Sequence, residues 1–137
     1  MQEFFWPVRV YYEDTDSGGV VYHSNYLNFM ERARTEWLRA AGFEQDRLLD
    51  EQGCLFVVRS MHIDFLRPAR FNQLLDVGVR LEAQRKASMT VRQSIYPAAE
   101  REAPLCSAEV KLACLDAASF RPRPIPREIL AEIACER

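Results

Sequence analysis

Between Tyr26 and Ala41 the chain carries apolar side chains over more of a helix circumference than an ordinary surface helix buries. Leu27, Phe29, Met30, Ala33, Trp37, Leu38, Ala40 and Ala41 cover a wide arc, and Glu31, Arg32, Arg34, Glu36 and Arg39 share the remaining strip. The spacing predicts helical pairs between Glu31 and Arg34 and between Glu36 and Arg39. Ser24 or Asn25 is expected to cap the start, because either side chain can accept from an orphan N–H of the first turn. Gly42 supplies the stop. A helix with so broad an apolar surface has to be wrapped by other elements.

The wrapping has to come from strands, because most of the remaining chain alternates with a period of two. Val8, Val10 and Tyr12 alternate with Arg9 and Tyr11 ahead of an acidic turn, Asp14 to Gly19. After a short second helix expected over Gln45 to Glu51, Leu55, Val57, Met61, Ile63 and Phe65 alternate with polar neighbours until Pro68. Leu75, Val77, Val79, Leu81 and Ala83 form the clearest run. Met89, Val91 and Ile95 follow a polar turn at Arg85 to Ser88, and Cys106, Ala108, Val110, Leu112 and Cys114 make the last strand. Gln93 and Arg59 fall on otherwise apolar faces, where the sheet is expected to meet solvent, ligand or another subunit. Pro126 is placed to open a terminal helix through Ile129, Leu130 and Ile133. The order predicts an α+β chain, one domain over residues 1–137, with an antiparallel sheet curled around one long helix. Such a sheet leaves exposed edges, for which edge-to-edge dimerisation is the natural remedy.

Composition narrows the function classes. A formal charge of −2 argues against a general nucleic-acid binder, and 48% hydrophobic residues in a chain of 137 provide for a sizeable core. Neither a signal-like N-terminus nor a spanning apolar run is present, so a cytoplasmic location is the default. Cys54, Cys106, Cys114 and Cys135 form no Cys-x-x-Cys pair, and His23 and His62 stand far apart, so no metal site is expected. The cysteines read as small core residues.

The stretch from Arg9 to Tyr26 concentrates the chemistry. Asp14, Asp16, Gly18 and Gly19 precede a helix whose first N–H groups lack intrahelical partners. On residues alone, Asp16 reads first as a turn aspartate serving local N–H groups and only second as a catalyst. His23 alone reads as a capping or packing residue, Tyr26 as a packed helix residue, and the Arg85, Lys86 and Ser88 hairpin as a solvated turn. Arg67 and Arg70 are further cations beside Pro68, and His62 is a polar-face strand residue. No Gly-x-Ser-x-Gly elbow occurs, which leaves a serine hydrolase without support.

Taken together, Arg9-Val10, four residues, Thr15-Asp16, two residues, Gly19-Val20-Val21-Tyr22-His23, two residues and Tyr26 resemble the signature of the 4-hydroxybenzoyl-CoA thioesterase family. Within it the chain looks most like the YbgC-type acyl-CoA thioesterases found alongside the Tol-Pal envelope system. The run Phe29-Met-Glu-Arg-Ala-Arg-Thr-Glu-Trp-Leu38 and, more loosely, Phe65 to Ala69 extend the likeness. The resemblance implies a hotdog fold and acyl-CoA hydrolysis, with Asp16 as nucleophile or general base and His23 at the part that polarises the carbonyl. It further implies substrate contacts from Gly19, Val20 and Tyr26 and from Arg85, Lys86 and Ser88. It implies no metal and no cofactor beyond the coenzyme A of the substrate. The implied partners are a second copy that shares the active site and, commonly, a further pairing into a dimer of dimers, while a preference for an acyl carrier protein stays open. Two alternatives stay open: a hotdog enoyl-CoA hydratase or dehydratase, and a non-catalytic acyl-binding module.

Overall fold

A computed structural model describes residues 3–134; the reading of Cys135 as a core residue falls outside them. The elements run β1 (Phe4–Arg9), a 3-10 turn (Tyr12–Asp14), α1 (His23–Ala40), α2 (Gln45–Gln52), β2 (Cys54–Phe65), β3 (Leu74–Gln84), β4 (Ser88–Pro97), β5 (Cys106–Asp116) and α3 (Arg127–Ala134). The five strands form one antiparallel sheet in the order β1-β3-β4-β5-β2, so β1 and β2 are its edges. Tyr26, Phe29, Met30 and Ala33 of α1 are buried with Val77 and Val79 of β3, Val91 and Ile95 of β4, and Ala108 and Val110 of β5. This is the hotdog arrangement, a sheet curled over one apolar helix.

The apolar arc of α1 is narrower than the composition suggests. Leu27 is 38% exposed and Ala40 is also exposed, so the core stripe is centred on Tyr26, Met30, Ala33 and Trp37. The expected Glu31–Arg34 pair is replaced. Glu31 accepts from the Thr35 hydroxyl, while Arg34 turns inward to Gln93. Arg39 does pair with Glu36.

Two bulges correct the strand phases. Arg59 is an extra residue in β2, because Val58 faces Leu112 and Ser60 already faces Lys111. A single extra residue reverses which side chains face the core. Cys54, Phe56 and Val58 therefore share the inner face with Met61, Ile63 and Phe65, and Leu55 and Val57 lie on the outer one. A second shift between Leu81 and Ala83 sends Ala83 to the exposed side. Gln93 stays in phase and is fully buried rather than meeting solvent or a second subunit.

The ends of elements also differ from expectation. β1 stops at Arg9, and Tyr12 is 76% exposed because the chain tightens into the 3-10 turn instead of continuing as a strand. Pro126 precedes α3, and its carbonyl accepts from Ile129 and Leu130. Cys54, Cys106 and Cys114 are buried and free, with the sulfurs of Cys54 and Cys114 3.6 Å apart.

Candidate active site

The segment between β1 and α1 folds back on itself. Thr15 bridges Val21, the Asp16 N–H donates to the Val20 carbonyl at 2.9 Å, and the Gly19 N–H donates to the Asp16 carbonyl at 3.1 Å. Gly19 takes a φ of +80°, a conformation in which a side chain would be strained. The Asp16 side chain is exposed at the tip. Its Oδ1 accepts from the Gly18 N–H at 2.8 Å, and its Oδ2 makes no hydrogen bond among the described residues.

Asp14 has a different role. Its carboxylate is buried, with Oδ2 accepting from the Tyr11 N–H at 2.8 Å and Oδ1 from Asn25 Nδ2 at 2.9 Å. Its carbonyl accepts from the Tyr22 N–H. These bonds fasten the 3-10 turn to the start of α1. The capping expectation is corrected accordingly: Tyr22 is the residue preceding the helix, its side chain makes no capping hydrogen bond among the described residues, and Ser24 and Asn25 lie within the first turn.

Among the described residues the backbone N–H groups of His23 and Ser24 make no hydrogen bond, whereas that of Asn25 bonds the Tyr22 carbonyl. Two free donors thus open an 18-residue helix, at the positive end of its dipole. The His23 ring is exposed, 4.4 Å from the Tyr22 ring and edge-on to Phe65 at 6.3 Å. Tyr26 is buried, and its hydroxyl accepts from the Ala69 N–H at 3.0 Å. Burial raises the Tyr26 pKa, the Ala69 N–H opposes the rise, and the charge of nearby Asp16 adds to it. Val20 bridges Arg70, and Val21 donates to the Ala69 carbonyl, so the loop after β2 forms the wall of the turn.

The fold brings together Asp16, Gly19, Val20, His23 and Tyr26. It does not bring Arg85, Lys86 and Ser88 to them within one chain. Ser88 pairs with Ala113 and Phe65 with Cys106, seven residues apart along β5. The hairpin and the acidic turn therefore lie at opposite ends of the sheet, roughly 23 Å apart along the strand direction. Arg85 and Lys86 are exposed there, and the Lys86 carbonyl accepts from Ile125. Arg67 is bound to the Ala103 carbonyl. Asn25, Ser24 and Phe65 are site residues not anticipated as such from the sequence. The only signal for Asn25 is its place inside the matched run. His62 lies exposed beside Asp64, at 3.4 Å. Among the described residues no group of three or more metal-ligating side chains occurs.

A sheet wrapped around one long helix, with an exposed carboxylate turn at that helix's N-terminus, is the architecture of a hotdog-fold protein. The thioesterase-like superfamily matches residues 10–133, and the chain belongs to it. It is 45% identical over 129 residues to the acyl-CoA thioester hydrolase YbgC of Escherichia coli O6:H1, covering 94% of each chain. It is 44% identical to the acyl-CoA thioesterase YbgC of Haemophilus influenzae, covering 93% of this chain and 92% of that one. Among solved structures, a probable thioesterase from Bartonella henselae superposes with a TM-score of 0.85 at 38% identity, covering 91% of this chain and all of that one.

Proposed function

We propose that the protein hydrolyses acyl-CoA thioesters, with Asp16 supplying the attack and the His23 and Ser24 N–H groups holding the thioester oxygen. The observation that carries this reading is the pairing of an exposed carboxylate, with one oxygen free, and two unsatisfied N–H groups at a helix start. Donors fixed before the reaction stabilise the negative oxygen of a tetrahedral intermediate without reorganising. Asp16 either attacks the carbonyl carbon, giving an anhydride that water then opens, or takes a proton from the attacking water. In both routes the C–S bond breaks, the thiolate of coenzyme A takes up a proton, and water supplies the new carboxyl oxygen. Neither route calls on a metal or redox cofactor.

The nucleotide end of the substrate gives the Arg85 hairpin its place in this reading. β2 is a 12-residue edge strand with no neighbour on its outer side among the described residues. A second copy paired antiparallel along it sets the Cys54 end of one chain beside the Phe65 end of the other. The second copy's Arg85, Lys86 and Ser88 then lie at the end of the joint sheet that carries the first copy's Asp16. Two flexible cations there suit the phosphates of coenzyme A. The reading therefore includes a homodimer with two shared sites, paired again into a tetramer, in the cytoplasm. An acyl carrier protein, which presents the same thioester on a protein, is the second substrate class to assay.

Thiol release from acyl-CoAs of graded length tests the reading, with enoyl-CoA absorbance followed in parallel. Thiol release with unchanged enoyl absorbance is the expected result. Hydration of the enoyl bond without thiol release establishes the hydratase alternative. Binding without either reaction leaves a non-catalytic module.

A further inference from the structure

Two aspartates are buried among the described residues, and they are held differently. Asp76 is paired with Arg101 at 2.8 Å, whereas no cation stands within ion-pair distance of Asp14. A buried carboxylate without a counter-charge is costly unless hydrogen bonds satisfy it. Asp14 has two, from the Tyr11 N–H at 2.8 Å and from the Asn25 side-chain amide at 2.9 Å. A chain that keeps such a group two residues before its exposed carboxylate invites the question of what those bonds hold.

They hold both halves of the site to one anchor. The Tyr22 N–H donates to the Asp14 carbonyl at 2.9 Å and Thr15 bridges Val21, so residues 14 to 22 form a small hairpin that carries Asp16. Asn25 is tied to the root of that hairpin twice, through its side chain to Asp14 and through its own N–H to the Tyr22 carbonyl at 2.8 Å. His23 and Ser24, whose N–H groups are unbonded, lie between the two fastened points Tyr22 and Asn25. The fastening also leaves those donors open. A capping side chain ordinarily accepts from the second or third N–H of a helix. Asp14 accepts instead from the side-chain amide of the third residue, so the helix start is secured without drawing on the Ser24 N–H.

Resting on the thioesterase reading above, we propose that Asp14 and Asn25 are positioning residues whose bond fixes the Asp16 carboxylate relative to the His23 and Ser24 N–H groups. The pair touches no reacting atom and acts through the groups it aligns. A misplacement of about 1 Å between reacting groups can cost about a hundredfold in rate. Much of the binding energy of a large substrate comes from parts remote from the bond that breaks. Loosening the pair therefore lowers kcat and leaves KM nearly unchanged.

The test measures kcat and KM separately, on the acyl-CoA that the wild type turns over fastest and well below each variant's melting temperature. Asn25→Ala removes the tether without adding charge, and Asn25→Asp sets two carboxylates against each other. Each lowers kcat at least about tenfold with KM within about threefold of wild type. The exchange variant, Asp14→Asn with Asn25→Asp, keeps the net charge and every bond. Its amide at position 14 accepts from the Tyr11 N–H and donates to the carboxylate now at position 25. It restores kcat to within about threefold of wild type, which a role in stability alone would not require of folded protein. Wild-type kcat in folded Asn25→Ala overturns the proposal, even if its melting temperature falls. So does a folded exchange variant as slow as Asn25→Asp. Should either Asn25→Ala or the exchange variant fail to fold, the other decides alone. Absence of thiol release from every wild-type substrate removes the thioesterase reading itself, which separates that failure from failure of the positioning pair.

Discussion

Replacing Tyr26 by Phe removes one oxygen, and the structure gives that oxygen one partner. The hydroxyl accepts from the Ala69 N–H at 3.0 Å, Ala69 is fully buried, and Tyr26 is 4% exposed. With the oxygen gone, the N–H has no water to turn to, and a stranded buried donor costs about 1–3 kcal/mol. The unfolding entropy of a chain this long corresponds to roughly 0.3 kcal/mol per degree, so the melting temperature should drop by about 3 to 10 °C. The same bond braces the wall of the active-site turn, because the Ala69 carbonyl accepts from Val21 at 2.9 Å. Well below the melting point, activity per folded molecule should stay within a few-fold of wild type, since the hydroxyl is already engaged inside the protein. Calorimetry and thiol-release kinetics on the same preparation separate the two effects. A melting point within a degree of wild type, with KM raised about tenfold, would refute the bracing argument and make Tyr26 a substrate contact.

Burial pushes the Cys106 thiol up to about 12, and the Cys114 thiol is also raised to about 12, by burial and then by the neighbouring Cys54. Both folded values exceed the ordinary thiol value, so the unfolded chain loses these protons first. The contribution is fully present below about pH 9 and declines toward pH 12, by up to about 1.4 kcal/mol per pH unit for each thiol. Urea unfolding in reductant at pH 8 to 10 should show this fall, and Cys106→Ala should reduce its slope by about one proton. Substituting Arg85 and Lys86 by Ala should raise KM for acyl-CoA with little change in kcat, more so at low salt. Mixing Asp16→Asn chains with chains carrying Arg85→Glu and Lys86→Glu should restore about a quarter of the sites, because randomly paired two-fold dimers regenerate one intact site per mixed dimer. No recovery on mixing, with subunit exchange verified, would place both elements of a working site in one chain.

The long helix and the four later strands were legible because their patterns are local and repeated. The bulges were not: Arg59 sits in an unbroken run from Leu55 to Phe65, and an extra residue leaves no mark until the partner strand is known. Capping was misplaced because the start of α1 is held from a distance, by Asp14 eleven residues before Asn25. The inward turn of Arg34 likewise depends on Gln93, 59 residues later. At the site, the spacing from Arg9 to Tyr26 located the turn, but the free N–H groups of His23 and Ser24 and the place of Phe65 required the fold. The distance between Asp16 and the Arg85 hairpin was out of reach, because strand order decides which ends of the sheet coincide.

The central claim is that the Asp16 carboxylate does the chemistry. Asp16 is exposed, and its side chain makes one hydrogen bond among the described residues, from the Gly18 N–H, which an amide oxygen can also accept. Asp16→Asn should therefore melt with the wild type while losing the ability to attack or to take a proton. Thiol release by this variant, measured on the best wild-type acyl-CoA, should fall at least about a hundredfold. A folded Asp16→Asn protein that turns over at the wild-type rate would contradict the account.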